Sequence, residues 1–176
     1  MWNISNQLSL LRLFLTIPCA IALWYDLRIF TLIIAFIAIV SDYLDGYLAR
    51  KLNQVTDLGK ILDPIADKVL VLTIIVVMIL KNDIPLWLAS FIIFRDIAIL
   101  LGGILIKKLK GIVLVSNYWG KWAVSAIALY IVMTITDISY PEIILVVIVT
   151  ALLTISFGTY IYRAYKIFFM NEEKIN

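Results

Sequence analysis

The chain has no histidine and a single cysteine, Cys19, among its 176 residues. Without an imidazole, proton transfer falls to a carboxylate or a bound water. A lone cysteine closes no intrachain disulfide, and the missing histidine removes the usual ligand sets of zinc and copper. Cys19 itself reads as a small buried hydrophobe. Charge is scarce too: 15% of residues are charged and 64% hydrophobic, with a mean hydropathy of +1.05. That composition excludes an ordinary soluble domain. No internal repeat, low-complexity tract or separate soluble domain is visible, so residues 1–176 read as a single membrane domain.

The expected fold is all-α and integral to the membrane, with six transmembrane helices over 8–24, 28–50, 58–80, 84–107, 118–137 and 141–167. Each is long enough to cross ~30 Å of hydrocarbon. The breaks carry Asp26, the Lys81-Asn82-Asp83 and Pro85 group, and the stretch from Asp137 to Pro141. Such residues stop and start helices. The opening MWNISNQ lacks a basic n-region, so no cleavable signal peptide is expected. Pro18 falls inside the first span, where it can kink the helix.

Basic residues set the orientation. Arg50, Lys51 and Lys60 follow span two; Lys107, Lys108, Lys110 and Lys121 follow span four; Arg163, Lys166 and Lys174 lie in the tail. The alternate loops hold only Arg28 and Lys81. Both termini are therefore expected in the cytosol. The net charge of +3 reflects this asymmetry rather than a nucleic-acid partner. Trp2, Trp24, Trp87, Trp119 and Trp122 lie near span ends, as interfacial anchors do.

Against this apolar background stands SDYLDGYLARKLNQVTDLGKILDPIADK, residues 41–68. Asp42, Asp45, Gly46 and Ala49 fall on one helical face, and Gly59, Asp63 and Asp67 on another. Between them a short polar turn is expected, with Asp57 as the N-cap or first-turn acid of the next helix. At about 1.5 Å per residue, Asp45 and Asp63 lie ~7 and ~6 Å from the turn, and Asp42 and Asp67 each ~12 Å. Antiparallel packing can therefore bring all four together. An ionised side chain at mid-bilayer costs ~3 kcal/mol or more, so four need protons or cations. Two divalent ions would cancel the charge, and all-aspartate ligation suits Mg²⁺ or Mn²⁺. A structural polar cluster or an ion-coupled transporter would also use such carboxylates, although no inverted repeat or broken helix pair is evident.

The pattern D-x-x-D-G-x-x-A-R-x8-G-x-x-x-D-x-x-x-D, here Asp42, Asp45, Gly46, Ala49, Arg50, Gly59, Asp63 and Asp67, resembles the signature of the CDP-alcohol phosphatidyltransferases, with no deviation. The resemblance implies a two-ion site. Asp42 and Asp63 would bridge both ions, Asp45 would hold the first and Asp67 the second, and Asp67 would also take the proton of the incoming hydroxyl. It further implies that Gly46, Arg50 and Thr56 meet the CDP part of CDP-diacylglycerol. Asn6 and Ser9 belong to an entry segment, NQLSLLR, similar to the N-x-L-T-x-x-R start of the phosphatidylglycerophosphate synthase branch. Residues there would also meet the CDP-lipid. The resemblance extends to a homodimer in the inner (plasma) membrane of a bacterial cell, with the active site facing the cytosol. It implies sn-glycerol 3-phosphate as acceptor, with CMP-forming cardiolipin synthase, which uses phosphatidylglycerol, as the alternative.

Three basic groups carry two readings each. Arg12 either snorkels to the interface from an ordinary helix start or meets the nucleotide or diphosphate. Arg95, well inside span four, either holds an anionic acceptor or forms a structural pair with another helix. Asp96 lies ~100° around the helix from Arg95 and is not expected as its partner. Lys121 either rests with its basic loop on anionic lipid or binds the acceptor's phosphate. Lys68, opposite Gly59 on its helix, is expected to stand away from the aspartates.

Overall fold

A computed structural model describes the backbone of residues 4–51, 57–112, 117–137 and 142–169, and the side chains of 9–41, 66, 68–112, 117–137 and 142–168. The described residues form six helices: α1 (Ile4–Trp24), α2 (Arg28–Lys51), α3 (Asp57–Lys81), α4 (Leu86–Lys110), α5 (Tyr118–Thr136) and α6 (Glu142–Phe169). They form two compact units, Met1–Pro85 and Leu86–Asn176. The first contains α1 packed against both α2 and α3; in the second, α6 packs against α4 and α5.

The helix ends follow the local sequence. Asp26, Asn82 and Asp137 adopt left-handed φ of 57°, 62° and 54°. Asn and Asp tolerate that region better than other side chains. At the end of α1, Asp26 N–H donates to Leu23 O (3.2 Å) and Leu27 N–H to Ala22 O (2.8 Å). At the end of α3, Asn82 N–H donates to Ile79 O (3.0 Å) and Asp83 N–H to Met78 O (2.8 Å). Both are Schellman closures, which satisfy carbonyls the helix leaves open. Gly111, at φ 70°, closes α4 by donating to Lys107 O. Asn117 caps α5 by accepting from Gly120 N–H at 2.7 Å. α1 passes through Pro18 and remains helical to Trp24.

Polarity is inverted relative to a soluble bundle. Ser9, Arg12, Thr16, Thr31, Ser41, Arg95 and Ser156 are buried, while Phe14, Phe30, Phe36 and Phe94 are each more than 60% exposed. Threonine hydroxyls, buried or part-buried, donate to their own helix: Thr16 to Arg12 O, Thr134 to Tyr130 O, Thr150 to Val146 O. Bonding within the segment is what a medium without water demands. α4, α5 and α6 are long and apolar enough to cross a membrane. Among the described side chains, α1 and α2 carry shorter apolar segments, Ser9–Trp24 and Arg28–Ser41. The protein is a membrane protein by this measure.

Candidate functional site

The first unit is organised from the end opposite the aspartates. Lys81, at the last turn of α3, donates from Nζ to Leu23 O at 3.0 Å and forms an ion pair with Asp26 in the α1–α2 turn. Asp83 Oδ2 lies 3.8 Å from the same ammonium. The C-terminal end of α1, the N-terminal end of α2 and the C-terminal end of α3 therefore meet. The other ends of α2 and α3 are joined through residues 52–56. It follows that α2 runs antiparallel to both α1 and α3.

That arrangement fixes the depth of each predicted position. Measured from the clamp at about 1.5 Å per residue, Ser9, Asp42 and Asp67 lie ~22, ~21 and ~21 Å along their helices. Asn6, Asp45 and Asp63 lie ~27, ~26 and ~27 Å along. At that rise, six predicted positions on three helices stand at two similar depths toward the same end of the unit. The described inward stripes lead toward those depths. On α2 the buried positions are Thr31, Ala38 and Ser41, and heptad steps from 31 and 38 reach 45. On α3 they include Ala66, Leu70, Ile74 and Val77, and steps of three and four residues backward reach 63 and 59.

Gly46 and Arg50 also lie on α2, and Asp57 is the first residue of α3, as a first-turn acid should be. The side chains of Asn6, Asp42, Asp45, Gly46, Arg50, Asp63 and Asp67 lie outside the described ones, and Thr56 lies outside the described residues altogether. Ser9 is fully buried. Arg12 is 1% exposed, which corrects the snorkelling alternative: it is buried in line with Ser9, Thr16 and Cys19 on one stripe of α1. Its backbone stands ~18 Å along α1 from the clamp, about one turn short of Ser9. Lys68 is exposed, away from the buried stripe of α3.

The second unit holds the other two predicted residues, Arg95 and Lys121. Arg95 on α4 is 5% exposed. Its Nη1 donates to Asp96 Oδ1 at 2.6 Å and its Nη2 to Ser156 Oγ of α6 at 2.5 Å. The Asp96 contact corrects the expectation from helix geometry: the long Arg95 side chain bends around the helix and closes the ~100° gap between neighbours. Arg95 Nε makes no hydrogen bond among the described residues. Asn117 Nδ2 donates to Thr159 Oγ1 at 2.7 Å, and Thr159 Oγ1 donates to Ser156 O at 2.9 Å. A Cβ on Gly120 would lie 3.6 Å from Ser156 Oγ and 3.7 Å from Arg95 Nη2, so the first turn of α5 rests against the Arg95–Ser156 bond. Lys121, the next residue, is exposed, with its ammonium 5.9 Å from the centroid of the Tyr118 ring. Sequence reading did not single out Ser156, Asn117 or Thr159. The one local signal was the N-x-x-G spacing that makes Asn117 a cap.

The CDP-alcohol phosphatidyltransferase family model matches residues 2–160. The chain is 35% identical over 152 residues to the CDP-diacylglycerol–glycerol-3-phosphate 3-phosphatidyltransferase of Bacillus subtilis (strain 168), covering 74% of this chain and 78% of that one. It is 30% identical over 176 residues to the protein of the same name from Aquifex aeolicus (strain VF5), covering 95% and 98%. It is also 36% identical over 107 residues to a cardiolipin synthase (CMP-forming) from Streptomyces coelicolor, covering 56% and 54%. With the motif in register, the matched depths of its positions and a family match running through both units, the chain belongs to the CDP-alcohol phosphatidyltransferase family.

Proposed function

We propose that the protein transfers the phosphatidyl group of CDP-diacylglycerol to sn-glycerol 3-phosphate, giving phosphatidylglycerophosphate and CMP. The observation that carries this reading is the Aquifex aeolicus relative, which aligns over nearly the whole of both chains. The proposed acceptor hydroxyl oxygen forms a bond to the phosphorus on the diacylglycerol side. The phosphorus–oxygen bond to CMP breaks, and the hydroxyl proton passes to Asp67.

The four aspartates fit a cation site by their chemistry: oxygen donors only, carried on two antiparallel helices, in a chain without histidine. Asp42, Asp45, Asp63 and Asp67 would hold two Mg²⁺ or Mn²⁺ ions, which supply charge neutralisation at the diphosphate and its leaving oxygen. Asn6, Ser9, Gly46, Arg50 and Thr56 would bind and orient the cytidine diphosphate head. Buried Arg12, close below Ser9, adds positive charge on the same side. Arg95 and Lys121 would receive the acceptor's phosphate; a guanidinium takes such a group with two parallel bonds.

The site belongs at the cytosolic face of a bacterial inner membrane. Six spans with both termini cytosolic agree with the basic residues at the C-terminal ends of α2, α4 and α6, and a cytosol-facing site would leave the donor's acyl chains in lipid. A homodimer is the proposed assembly. One observation favours a second acceptor: the similarity to the Streptomyces coelicolor relative named cardiolipin synthase (CMP-forming). On that reading phosphatidylglycerol accepts and cardiolipin forms. CMP release by the purified protein, with Mg²⁺ or Mn²⁺ and each acceptor offered separately, decides. Release only with sn-glycerol 3-phosphate supports the first reading, release only with phosphatidylglycerol supports the second, and release with neither rejects both.

A further inference from the structure

Hydroxyl-bearing residues in a membrane helix ordinarily turn back on their own backbone, as Thr150 and Thr154 do on α6. Ser156, further along the same helix, behaves differently: its Oγ accepts from Arg95 of α4 across a separation of 61 residues. Both partners are at most 5% exposed. The guanidinium is therefore gripped at two points, Nη1 by Asp96 and Nη2 by Ser156. An arginine has five N–H donors in a rigid fork. Two are taken by described partners, and the Nε edge takes none among the described residues.

The grip continues into α5. Ser156 O accepts from Thr159 Oγ1, Thr159 Oγ1 accepts from Asn117 Nδ2, and Asn117 Oδ1 accepts from Gly120 N–H. One hydrogen-bonded chain thus runs from Asp96 through Arg95, Ser156, Thr159 and Asn117 to the first turn of α5, which carries Lys121. Gly120 lets that turn approach; a side chain there would press on the Asn117 cap at 2.9 Å.

We infer that Ser156 is a positioning residue for the acceptor site: its hydroxyl sets the guanidinium of Arg95, and its backbone carbonyl, through Thr159 and Asn117, ties that point of α6 to the turn that carries Lys121. This rests on the reading that Arg95 meets the acceptor. Asp96 alone cannot do the same work. It is on the same helix as Arg95, so it neutralises charge without referencing the guanidinium to α5 or α6. Fixing the fork before the anion arrives lowers the ordering cost of binding.

The test uses the full chain in detergent or vesicles, with whichever acceptor supports CMP release. Ser156→Ala should raise the KM for that acceptor roughly tenfold, the scale of losing a bond to a charged group. The KM for CDP-diacylglycerol and kcat should stay within about twofold, since neither depends on this guanidinium. Ser156→Thr, which keeps the hydroxyl, should restore most of the loss. Thr159→Val should move the same constant in the same direction by a smaller factor. An unchanged acceptor KM in Ser156→Ala, with a raised one in Arg95→Lys, overturns the inference and leaves the role of Arg95 standing. An unchanged acceptor KM in Arg95→Lys overturns the role of Arg95 itself. Equal losses in all three constants for Ser156→Ala, without rescue by threonine, assign Ser156 to packing and overturn the inference.

Discussion

Lys81 and Asp26 close the first unit at the end away from the aspartates. The ammonium of Lys81 pairs with the Asp26 carboxylate and also caps Leu23 O at 3.0 Å, a carbonyl at the open end of α1. One side chain thus ties the last turn of α3 to the α1–α2 turn. Because α1, α2 and α3 are rods, fixing one end fixes the depth at which the other ends meet. The register of the motif positions is set ~20 Å away.

Lys81→Met should keep the apolar stem and lose both polar contacts. Lys81 is mostly buried, at 15% side-chain exposure. Loss of its bond to Leu23 O should cost about 1.5–3 kcal/mol, the range for a bond from a charged donor. Thermal unfolding in detergent should show a lowered midpoint. Asp26→Asn should lower it less, because the Asp26 side chain is 68% exposed and water screens its pair. Equal effects from both substitutions would contradict this division of labour.

The same pair gives a pH dependence with a definite sign. The hydrogen bond from Lys81 holds the Asp26 carboxyl below its ordinary pKa, with further help from the charges of Lys81 and Arg28. A carboxylate depressed in the folded state stabilises above the unfolded value, about 3.9, and loses that contribution as pH falls through the folded value. The midpoint difference between the unsubstituted protein and Asp26→Asn should be constant above about pH 5 and shrink under strong acid. A difference that grows on acidification would reverse the sign and exclude the pairing.

How much of this was legible beforehand follows from the range of each interaction. Helix ends were readable because Asp26, Asn82 and Asp137 act on their own neighbours. Expected and observed helices agree to within a few residues; α4 starts at Leu86, after Pro85 rather than before it. The motif was readable because three- and four-residue steps put its aspartates on helical faces. Arg12 was not: whether it snorkels or is buried depends on how α2 and α3 cover α1. The Arg95–Asp96 contact escapes a reading by backbone angle because that angle takes no account of side-chain length. Ser156 and Thr159 carried no local signal, since their partners lie 61 and 42 residues away.

In the second unit, α4 and α6 approach closely at Gly102. A Cβ there would lie 2.6 Å from the Tyr160 hydroxyl, which donates to Ile99 O at 3.0 Å. Gly102→Ala should push the hydroxyl off that carbonyl and cost about 1 kcal/mol for the bond, against up to about 1 kcal/mol gained in helix propensity. The single substitution should therefore be near neutral. Tyr160→Phe removes the obstructing oxygen, so Gly102→Ala should be more favourable by about 1 kcal/mol in that background. A double-mutant cycle of unfolding midpoints measures the coupling, and additivity would mean the two helices do not meet here as described.

The last prediction concerns the aspartates and separates chemistry from structure. Asp42→Asn, Asp45→Asn, Asp63→Asn and Asp67→Asn each keep size and polarity while removing one negative charge. If the four hold divalent ions, each loss should lower CMP release by about 10²–10³-fold, since such ions supply several kcal/mol to the transition state. EDTA should abolish release in the unsubstituted protein, and Mg²⁺ or Mn²⁺ should restore it. Unfolding midpoints without metal should hold steady or rise in the variants, because four neighbouring carboxylates repel one another when no cation is present. A structural polar cluster predicts the opposite pattern: lowered midpoints in every variant and release indifferent to EDTA. Should Asp67→Asn alone retain metal-dependent stabilisation while losing release, it acts as the proton acceptor rather than as an essential ligand.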